Sequence, residues 1–237
     1  MNTNQSIERA LDILECFSQA KSEIGLSELA RLVGLPKATV FRMAETLVER
    51  GYLIKDGKSQ AYQLGYKILR LGQTLLSNMD YRKIALPYMQ KIRDETNESV
   101  TLYIPINDRE RLCVERFQSS HGLRRIVHVG EIFAIDLGAA GKALLAFREA
   151  ETLHADYRVT LEELAQIRRQ GYALSHGERE LGVSSVAVPL LDRYSRPIAS
   201  LSVSGPEFRY HGEWLENIIE VTKRAAASIS RELGCPG

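Results

Sequence analysis

The stretch VGLPKATVFRMAETLVERGYL, residues 33–53, decides the fold of the N-terminal part of this chain. Gly34 can adopt the positive φ that ends a helix. Pro36 suits the first position of the next helix, where its missing N–H leaves no bond unmade. The apolar residues that follow recur at helical spacing: Val40, Met43, Ala44 and Leu47. The stretch therefore predicts two helices joined by a tight turn, the second of which begins with small and polar residues.

The flanking sequence completes a winged helix-turn-helix. The segment GLSELARLVG (25–34) predicts the first helix of the motif, with Ser27 as its N-cap. An earlier amphipathic helix is predicted by five apolar residues at helical spacing: Ile7, Ala10, Leu11, Leu14 and Phe17. The segment GYLIKDGKSQAYQLG (51–65) predicts a hairpin with an Asp56-Gly57 turn. Residues 1–66 are assigned to this domain, with a three-helix protein-interaction module as the alternative.

The leading edge of the second helix of the motif is expected to face DNA. In helix-turn-helix proteins the N-terminal residues of this helix enter the major groove. Phe41 can either contact a base or pack against another helix, and Lys55 and Lys58 on the hairpin are expected at phosphates or in the minor groove. The candidate DNA-binding residues are Ser27, Lys37, Ala38, Thr39, Phe41, Arg42, Lys55 and Lys58.

The remainder of the chain predicts a linker helix and an α+β domain. Apolar residues at helical intervals place the linker helix at residues 67–80. Pro87 predicts a helix break or a new helix start near Leu86. Beyond residue 98, short β-rich runs such as RRIVHV (124–129) alternate with helical stretches. Residues 81–237 are therefore expected to form one domain with an antiparallel sheet flanked by helices.

The composition is that of a globular protein with a basic N-terminal part. Hydrophobic residues make up 44% and charged residues 26% of the 237 residues, and the formal net charge is +1. From Arg31 to Arg70, eight Lys or Arg face three acidic residues, which is compatible with a polyanion-binding module or with a solvated charged surface. No apolar run approaches the ~20 residues that span a bilayer, and the N-terminus does not resemble a signal peptide. The three scattered cysteines suit a reducing cytosol.

Enzyme chemistry is the main alternative function, and the sequence lacks its motifs. No GxSxG, HExxH or CxxC pattern occurs, and the five histidines show no metal-ligand spacing. The segment LGAAGKALLA (137–146) is not a P-loop, because Asp136 replaces its first glycine and Ala143 replaces its Ser or Thr. Cys113 lies in an apolar strand and favours core packing. No catalytic residue, cofactor or metal site is predicted.

Six segments in this order resemble the IclR family of bacterial transcriptional regulators. They cover nearly the whole chain: SIERALDILECF (6–17), LSELARLVGLPKATVFRMAETLVERGYL (26–53), YQLGYKILRLG (62–72), GAAGKALLAF (138–147), RRQGYALSHGERELGVSSVAVPLLD (168–192) and ASLSVSGP (199–206). The resemblance implies a DNA-binding regulator with a winged helix-turn-helix, a linker helix that helps dimerisation, and a GAF-like C-terminal domain. It implies a homodimer or a dimer of dimers on palindromic operator DNA in the cytoplasm, with no membrane partner. It also implies a small-molecule effector, taken here as an organic acid.

Part of the effector site can be argued from the residues themselves. Small residues at 138–140 would leave the N–H groups at the start of a helix uncovered, which favours an anion. Ser202 and Ser204 alternate along one strand and could donate to the same carboxylate. The resemblance places the pocket at these segments, and the candidate effector-binding residues are Asp136, Ala139, Ala140, Ser175, Val183, Ser185, Ser202 and Ser204.

At three of these positions the chain departs from residues that family members carry. Asp136 stands where members often have His, and Asp136 would repel a carboxylate if it faced the pocket. Ser175 and Ser185 stand where members that bind small oxoacids carry Asp and Cys. The effector therefore stays open, as does the alternative that the C-terminal domain serves only for oligomerisation.

Overall fold

A computed structural model describes residues 4–18, 20–149 and 152–236. Its contacts group the chain into an N-terminal unit, Met1–Asn78, and a C-terminal unit, Met79–Gly237. Each unit has its own hydrophobic core. None of the helices in the described ranges has the length and apolar character needed to cross a bilayer.

The N-terminal unit contains the predicted helices and hairpin. Its elements are α1 (Gln5–Glu15), α2 (Leu26–Val33), α3 (Lys37–Glu49), β1 (Leu53–Lys55), β2 (Tyr62–Leu64) and α4 (Tyr66–Ser77). Gly34 ends α2 with φ of 67°, and the Leu35 N–H donates to the Ala30 carbonyl at 3.1 Å. This left-handed cap reverses the chain between α2 and α3. The winged helix-turn-helix prediction is confirmed.

The ends of these elements differ from the expected ones. Gly25, not Ser27, is the N-cap of α2, because the extended Gly25 carbonyl accepts the first helical bonds and Ser27 lies inside the first turn. Pro36 is the N-cap of α3 rather than its first residue, since its ψ of 138° is extended. The hairpin loop is also longer than an Asp-Gly turn, because the Asp56 carboxylate accepts the N–H groups of Lys58 and Ser59.

The core of the N-terminal unit joins α1, α2 and α3 to the hairpin. Its buried residues are Ile13, Ile24, Leu29, Ala30, Val40, Ala44, Leu53 and Tyr62. Ile24 and Tyr62 exchange backbone hydrogen bonds of 3.0 and 2.9 Å, which tie the segment before α2 to the hairpin. The amphipathic helix predicted at the start of the chain is present as α1. Of the five apolar residues that predicted it, Leu14 and Phe17 pack against the core, whereas Ile7 and Leu11 are exposed.

The C-terminal unit is built on a six-stranded antiparallel sheet in the order β5-β4-β3-β8-β7-β6. Its strands are β3 (Ser99–Pro105), β4 (Glu110–Phe117), β5 (Ile132–Ala134), β6 (Ala173–His176), β7 (Val183–Leu191) and β8 (Pro197–Pro206). Its helices are α5 (Asp80–Thr96), α6 (Ala139–Ala146), α7 (Leu161–Gln170) and α8 (Gly212–Glu232). Helix α6 packs on β6, β7 and β8, while α5 packs on α8, β3 and β4. The α+β prediction is confirmed.

Helix α5 continues through Pro87, so the break predicted near Leu86 is wrong. A proline inside a helix removes one backbone bond and costs about 3 kcal/mol. Helix α5 offsets this cost by burying Ala85, Met89 and Ile92 in the unit. Burial of an apolar face thus outweighs the local preference of proline.

The predicted β-run at residues 124–129 is not a regular strand. Its carbonyls are instead bonded by side chains from the sheet. Ser99 Oγ donates to the Arg125 carbonyl and Arg116 Nη1 donates to the Val127 carbonyl, both at 2.7 Å. The edge strand next to β4 is β5, a few residues later. In this segment, hydrogen bonds from side chains therefore take the place of the backbone hydrogen bonds between strands.

Candidate functional site

The outer surface of α3 begins with the predicted DNA-binding residues. Lys37, Ala38 and Arg42 are exposed and Thr39 is half-buried, while Val40 and Ala44 point into the core. Phe41 is 42% exposed, with Lys55 Nζ 5.2 Å from its ring centroid. Of the two expectations for Phe41, the structure therefore favours a surface position over core packing.

The two hairpin lysines lie in different environments. Lys55 Nζ is 3.1 Å from Glu45 Oε1, and Tyr62 donates its hydroxyl to the same oxygen at 3.0 Å. These two hydrogen bonds lower the pKa of the Glu45 carboxyl below its usual value. Lys55 therefore ties the hairpin to α3, whereas Lys58 is exposed in the hairpin loop. Ser27 is exposed on α2.

A cavity of about 30 Å³ lies between α6 and the sheet of the C-terminal unit. Seven of the eight predicted effector residues line it: Ala139, Ala140, Ser175, Val183, Ser185, Ser202 and Ser204. The other lining residues are Tyr103, Arg111, Arg125, Val127, Gly138, Arg179 and Glu180. The volume holds about one water molecule. A larger ligand therefore requires the walls to move.

Serines from three neighbouring strands form one side of the cavity. Ser175, Ser185 and Ser204 are cross-strand partners on β6, β7 and β8. The Oγ atoms of Ser175 and Ser185 are 3.1 Å apart. Within the described ranges, the hydroxyls of Ser202 and Ser204 have no hydrogen-bond partner. They are free to bind a polar ligand.

Asp136 does not line this cavity. Its carboxylate accepts hydrogen bonds from the Arg158 backbone N–H at 3.0 Å and from Arg158 Nε at 3.2 Å. Arg158 thus holds Asp136 outside the group of predicted residues. The sequence predicted that Asp136 would repel a bound carboxylate if it faced the pocket. Because Asp136 is not part of the cavity wall, this repulsion does not arise.

The start of α6 already holds a carboxylate from the chain itself. Gly138 has φ of 78°, which glycine adopts readily, and its N–H donates to Glu178 Oε2 at 3.0 Å. Glu178 also pairs with Lys142, whose Nζ is 2.6 Å from Glu163 Oε1. The expectation that the N–H groups of this helix terminus are uncovered is therefore wrong at Gly138.

Arg111 on β4 is the most informative residue that the sequence did not reveal. Its side chain is fully buried, and Nη1 donates to the Ala134 carbonyl. Its Nε and Nη2 atoms have no hydrogen-bond partner among the described residues. Desolvation lowers the pKa of the guanidinium to about 10. A buried cation with free donors at a cavity wall is prepared to bind an anion.

Two further arginines reach the cavity from loops. Arg125 pairs with Glu180, and the Arg179 guanidinium lies 3.8 Å from the Phe133 ring centroid. The sequence signal for Arg179 and Glu180 is the charged segment EREL (178–181) between Gly177 and Gly182. Both glycines have positive φ in the structure. Arg111 has no comparable signal, because β4 (ERLCVERF) also carries Glu110, Glu115 and Arg116. The charged segment by itself does not identify a cavity.

The thiol of Cys113 lacks the properties of a nucleophile. It is buried, and desolvation raises its pKa from 9.0 to about 12. A thiolate is therefore not formed near neutral pH. In the described part of the chain, no three His, Cys, Asp or Glu side chains converge as metal ligands do.

Gly141 allows α6 to approach the strand that carries Arg111. A Cβ at this position would collide with the Ile135 carbonyl and lie 2.5 Å from Arg111 Nη1. Gly141→Ala should lower the free energy of unfolding of the C-terminal unit by about 1–3 kcal/mol in urea denaturation. Gly122→Ala is the matched control, because its Cβ meets nothing within 4 Å, and it should change stability by less than about 0.5 kcal/mol. Equal stability of the two variants would contradict this packing.

The fold defines a winged helix-turn-helix protein with a separate α+β unit. Residues 6–57 match the IclR helix-turn-helix domain, and residues 73–231 match the C-terminal domain of bacterial IclR transcriptional regulators. The chain belongs to the IclR family. It is a DNA-binding transcriptional regulator and not an enzyme.

Curated relatives support this assignment along the whole chain. The transcriptional regulator XynR of Escherichia coli is 31% identical, and the match covers 98% of both chains. KdgR of the same organism is 29% identical over 97% of this chain and 92% of its own length. The Escherichia coli transcriptional repressor IclR is 27% identical over 97% and 90%.

Solved structures share the fold. The IclR protein of Thermotoga maritima is 25% identical, with a TM-score of 0.80 and coverage of 97% of this chain and 98% of that one. An IclR homologue of Microbacterium hydrocarbonoxydans complexed with 4-hydroxybenzoate is 24% identical, with a TM-score of 0.84 and coverage of 97% and 99%. The latter similarity is one of fold alone.

Proposed function

We propose that this regulator binds an organic acid in the cavity of its C-terminal unit, and that the acid changes the affinity of the N-terminal unit for operator DNA. The observation that carries the proposal is Arg111, a buried cation with two unpartnered donor atoms at the cavity wall. The 4-hydroxybenzoate complex of the Microbacterium protein supports it, because a protein of the same fold holds a small acid. The chain acts in the cytoplasm, where bacterial operators are found.

The lining residues have distinct roles in this proposal. Arg111 pairs with the carboxylate of the acid, and the hydroxyls of Ser202 and Ser204 donate to its oxygen atoms. Ala139 and Ala140 leave space at the start of α6 for the ligand. Ser175, Ser185 and Val183 close the side formed by β6 and β7.

Binding requires the cavity to open, because about 30 Å³ does not accommodate an organic acid. The segment 177–182 contributes Arg179 and Glu180 to the wall and is bounded by glycines with φ of 62° and 75°. We expect this segment to move when the acid enters. The acid then stabilises one conformation of the C-terminal unit at the expense of another.

Regulation follows if the two conformations hold the DNA-binding units differently. A coupling free energy of about 1–3 kcal/mol would change operator affinity roughly 5- to 150-fold. The proposed domains are 1–66 for DNA binding, 67–80 as the linker helix and 81–237 for the effector. Helix α4 (Tyr66–Ser77) overlaps the proposed linker and supports this part of the proposal.

The protein is proposed to act as a homodimer or a dimer of dimers. Helix α4 has no buried residue, although it carries several large apolar side chains. Its exposed apolar residues are Tyr66, Leu69, Leu71 and Leu75. A second copy of α4 would cover them, as palindromic operators require a twofold protein. Sedimentation velocity should show a dimer or tetramer, and a monomer at micromolar concentration would contradict this part of the proposal.

Arg42 is the side chain whose role on DNA can be assigned most directly. Arg42→Ala should weaken binding to a selected operator by about 1–3 kcal/mol if Arg42 reads a base. Fluorescence anisotropy with operator DNA and with random DNA measures both losses. Arg169→Ala, an exposed arginine of α7, is the charge-matched control and should leave both affinities unchanged. An equal loss on both DNAs would assign Arg42 to phosphate instead.

Thermal unfolding tests acid binding without knowledge of the operator. A panel of small carboxylic acids at about 100 times Kd should stabilise the C-terminal unit by about 2.7 kcal/mol. Ser202→Ala with Ser204→Ala should reduce this stabilisation, while Ser195→Ala in the β7–β8 turn should not. A panel in which no acid stabilises the protein would contradict the proposal.

A further inference from the structure

We infer that the effector is a dianion, a small dicarboxylic acid whose two carboxylates pair with Arg111 and Arg179. The inference rests on the proposed function, because it names the chemical class of acid that the same cavity takes. The inference depends on the charged residues of the cavity wall, none of which was among the residues predicted from the sequence.

The lining carries more positive than negative charge. Its ionisable cations are Arg111, Arg125 and Arg179, and its one carboxylate is Glu180. Glu180 pairs with Arg125, so this arginine is already neutralised. Arg111 and Arg179 have no carboxylate partner among the described residues. Two guanidinium groups at one small cavity thus form no ion pair within the described ranges.

The charges just outside the lining do not supply them. Glu178 is bonded to Lys142 and to the N–H of Gly138, and Glu163 is bonded to the same lysine. Asp136 is bonded to Arg158. The charge of Asp136 also acts on Arg111 and partly offsets the lowering of its pKa by burial. None of these carboxylates forms an ion pair with Arg111 or Arg179, so both guanidinium groups remain available to the anions of a ligand.

The two guanidinium groups are close enough for one small molecule. Both lie against the Phe133 ring, at 5.7 Å from its centroid for Arg111 and 3.8 Å for Arg179. Both also border Gly138: a Cβ built there would be 3.7 Å from Arg111 Nη2 and 3.0 Å from Arg179 Cδ. Once the cavity has opened, a short dicarboxylate can therefore contact both guanidinium groups.

The rest of the wall suits a polar aliphatic molecule. Four serines line it, and its apolar residues are small or β-branched apart from Tyr103. The Arg111 guanidinium already lies near the Tyr103 ring, 5.3 Å from its centroid. A chain of a few methylene or hydroxymethylene groups between two carboxylates fits these surroundings.

The test compares each dicarboxylate with its own monoamide. Isothermal titration of the full-length protein would use the dicarboxylic acids of three to six carbons, from malonate to adipate, and the monoamide of each. The pair has nearly the same size and shape and differs by one charge. At least one dicarboxylate should bind at least about tenfold more tightly than its monoamide, since the second carboxylate forms charge-assisted bonds to Arg179.

Variants of Arg179 locate that preference. Arg179→Gln should abolish the tenfold preference by weakening the dicarboxylate alone, Arg179→Lys should retain part of it, and the exposed Arg193→Gln should keep all of it. Equal affinities of every dicarboxylate and its monoamide would overturn the inference while leaving an acid effector in place. A preference that survives Arg179→Gln would overturn it as well. Binding of no acid would overturn the proposed function and the inference together.

Discussion

Arg209→Met is expected to lower the free energy of unfolding of the C-terminal unit by about 3–5 kcal/mol. Glu98, just before β3, has no exposed surface. Arg209, in the turn after β8, binds both of its carboxylate oxygens, with Nε–Oε1 of 2.5 Å and Nη2–Oε2 of 2.8 Å. Without Arg209, a buried carboxylate would be left without its counter-charge, which is the costly way to break an ion pair.

The local packing prevents an easy escape of Glu98 to solvent. Gly205 on β8 sits directly against its carboxylate, so that a Cβ there would collide with Oε2. The Glu98 backbone N–H donates to Thr96 Oγ1 at 3.2 Å, which holds the residue between α5 and β3. Glu98 is therefore expected to stay buried in the variant, or to unfold the strand end with it.

Urea denaturation followed by circular dichroism measures the effect. Arg224→Met is the matched control, because Arg224 also lies near two carboxylates but is 58% exposed, and its loss should be below about 1 kcal/mol. Adding Glu98→Gln to Arg209→Met should recover part of the stability, since an amide is less costly to bury than an unpaired charge. Equal stability of Arg209→Met and Arg224→Met would show that the buried pair does not stabilise the fold.

Arg111→Met is expected to have the opposite effect on stability and the largest effect on ligand binding. Burial lowers the pKa of Arg111 from its ordinary value to about 10. At 1.36 kcal/mol per pKa unit, the charged form is destabilised in the fold by about 3 kcal/mol. Methionine fills a similar length without a charge, so the variant should be as stable as the parent or more stable by up to about 3 kcal/mol.

The same substitution should weaken binding of any effective acid by at least about 100-fold, because it removes two or more charge-assisted hydrogen bonds. Calorimetric titration measures this loss. Arg111→Lys keeps the charge but not the planar fork and should fall between parent and methionine. A destabilised Arg111→Met variant that still bound the acid would show that Arg111 is structural and does not contact the ligand.

The two results together would describe a trade between stability and function. Most mutations at buried positions lower the free energy of unfolding. Replacing a buried residue that serves ligand binding need not do so when the burial of that residue is itself unfavourable. Arg111 meets this description because its Nε and Nη2 atoms find no partner in the described structure. Arg209 does not, because both of its contacts with Glu98 are made in the fold.

The N-terminal unit was the more predictable of the two because its signals are local. Gly34 and the spacing of Val40 and Ala44 act within a few residues, and the structure confirms the turn and the buried face. The exact caps were less predictable. Gly25 and Pro36 take extended backbone conformations. These conformations depend on the direction in which the preceding segment enters the helix as well as on the residue type.

The C-terminal unit depends on contacts between distant segments. Helix α5 continues through Pro87 because its apolar face is buried against the rest of the unit. Residues 124–129 do not form a regular strand because side chains of the sheet donate hydrogen bonds to their carbonyls. Neither effect has a signature in the local sequence. The resemblance to a family supplied the serines and alanines of the cavity, and the structure brings them together.

Resemblance could not supply the arginines. Arg111 approaches Gly138 through the pairing of β3, β4 and β5, and Arg179 through the loop between β6 and β7. Asp136 illustrates the converse: its position in the motif suggested the pocket, but Arg158 holds it elsewhere. Which charged side chains line the cavity therefore depends on contacts between distant segments and cannot be predicted from one local motif.

Operator affinity in the presence and absence of a bound acid tests the central claim most directly. The operator would be selected from random DNA by the full-length protein, and the acid would be one shown by calorimetry to bind. At saturating acid, fluorescence anisotropy should show a change in operator Kd of roughly 5- to 150-fold for the parent and no change for Arg111→Met. An unchanged operator Kd for the acid-saturated parent would contradict the claim that the cavity regulates DNA binding.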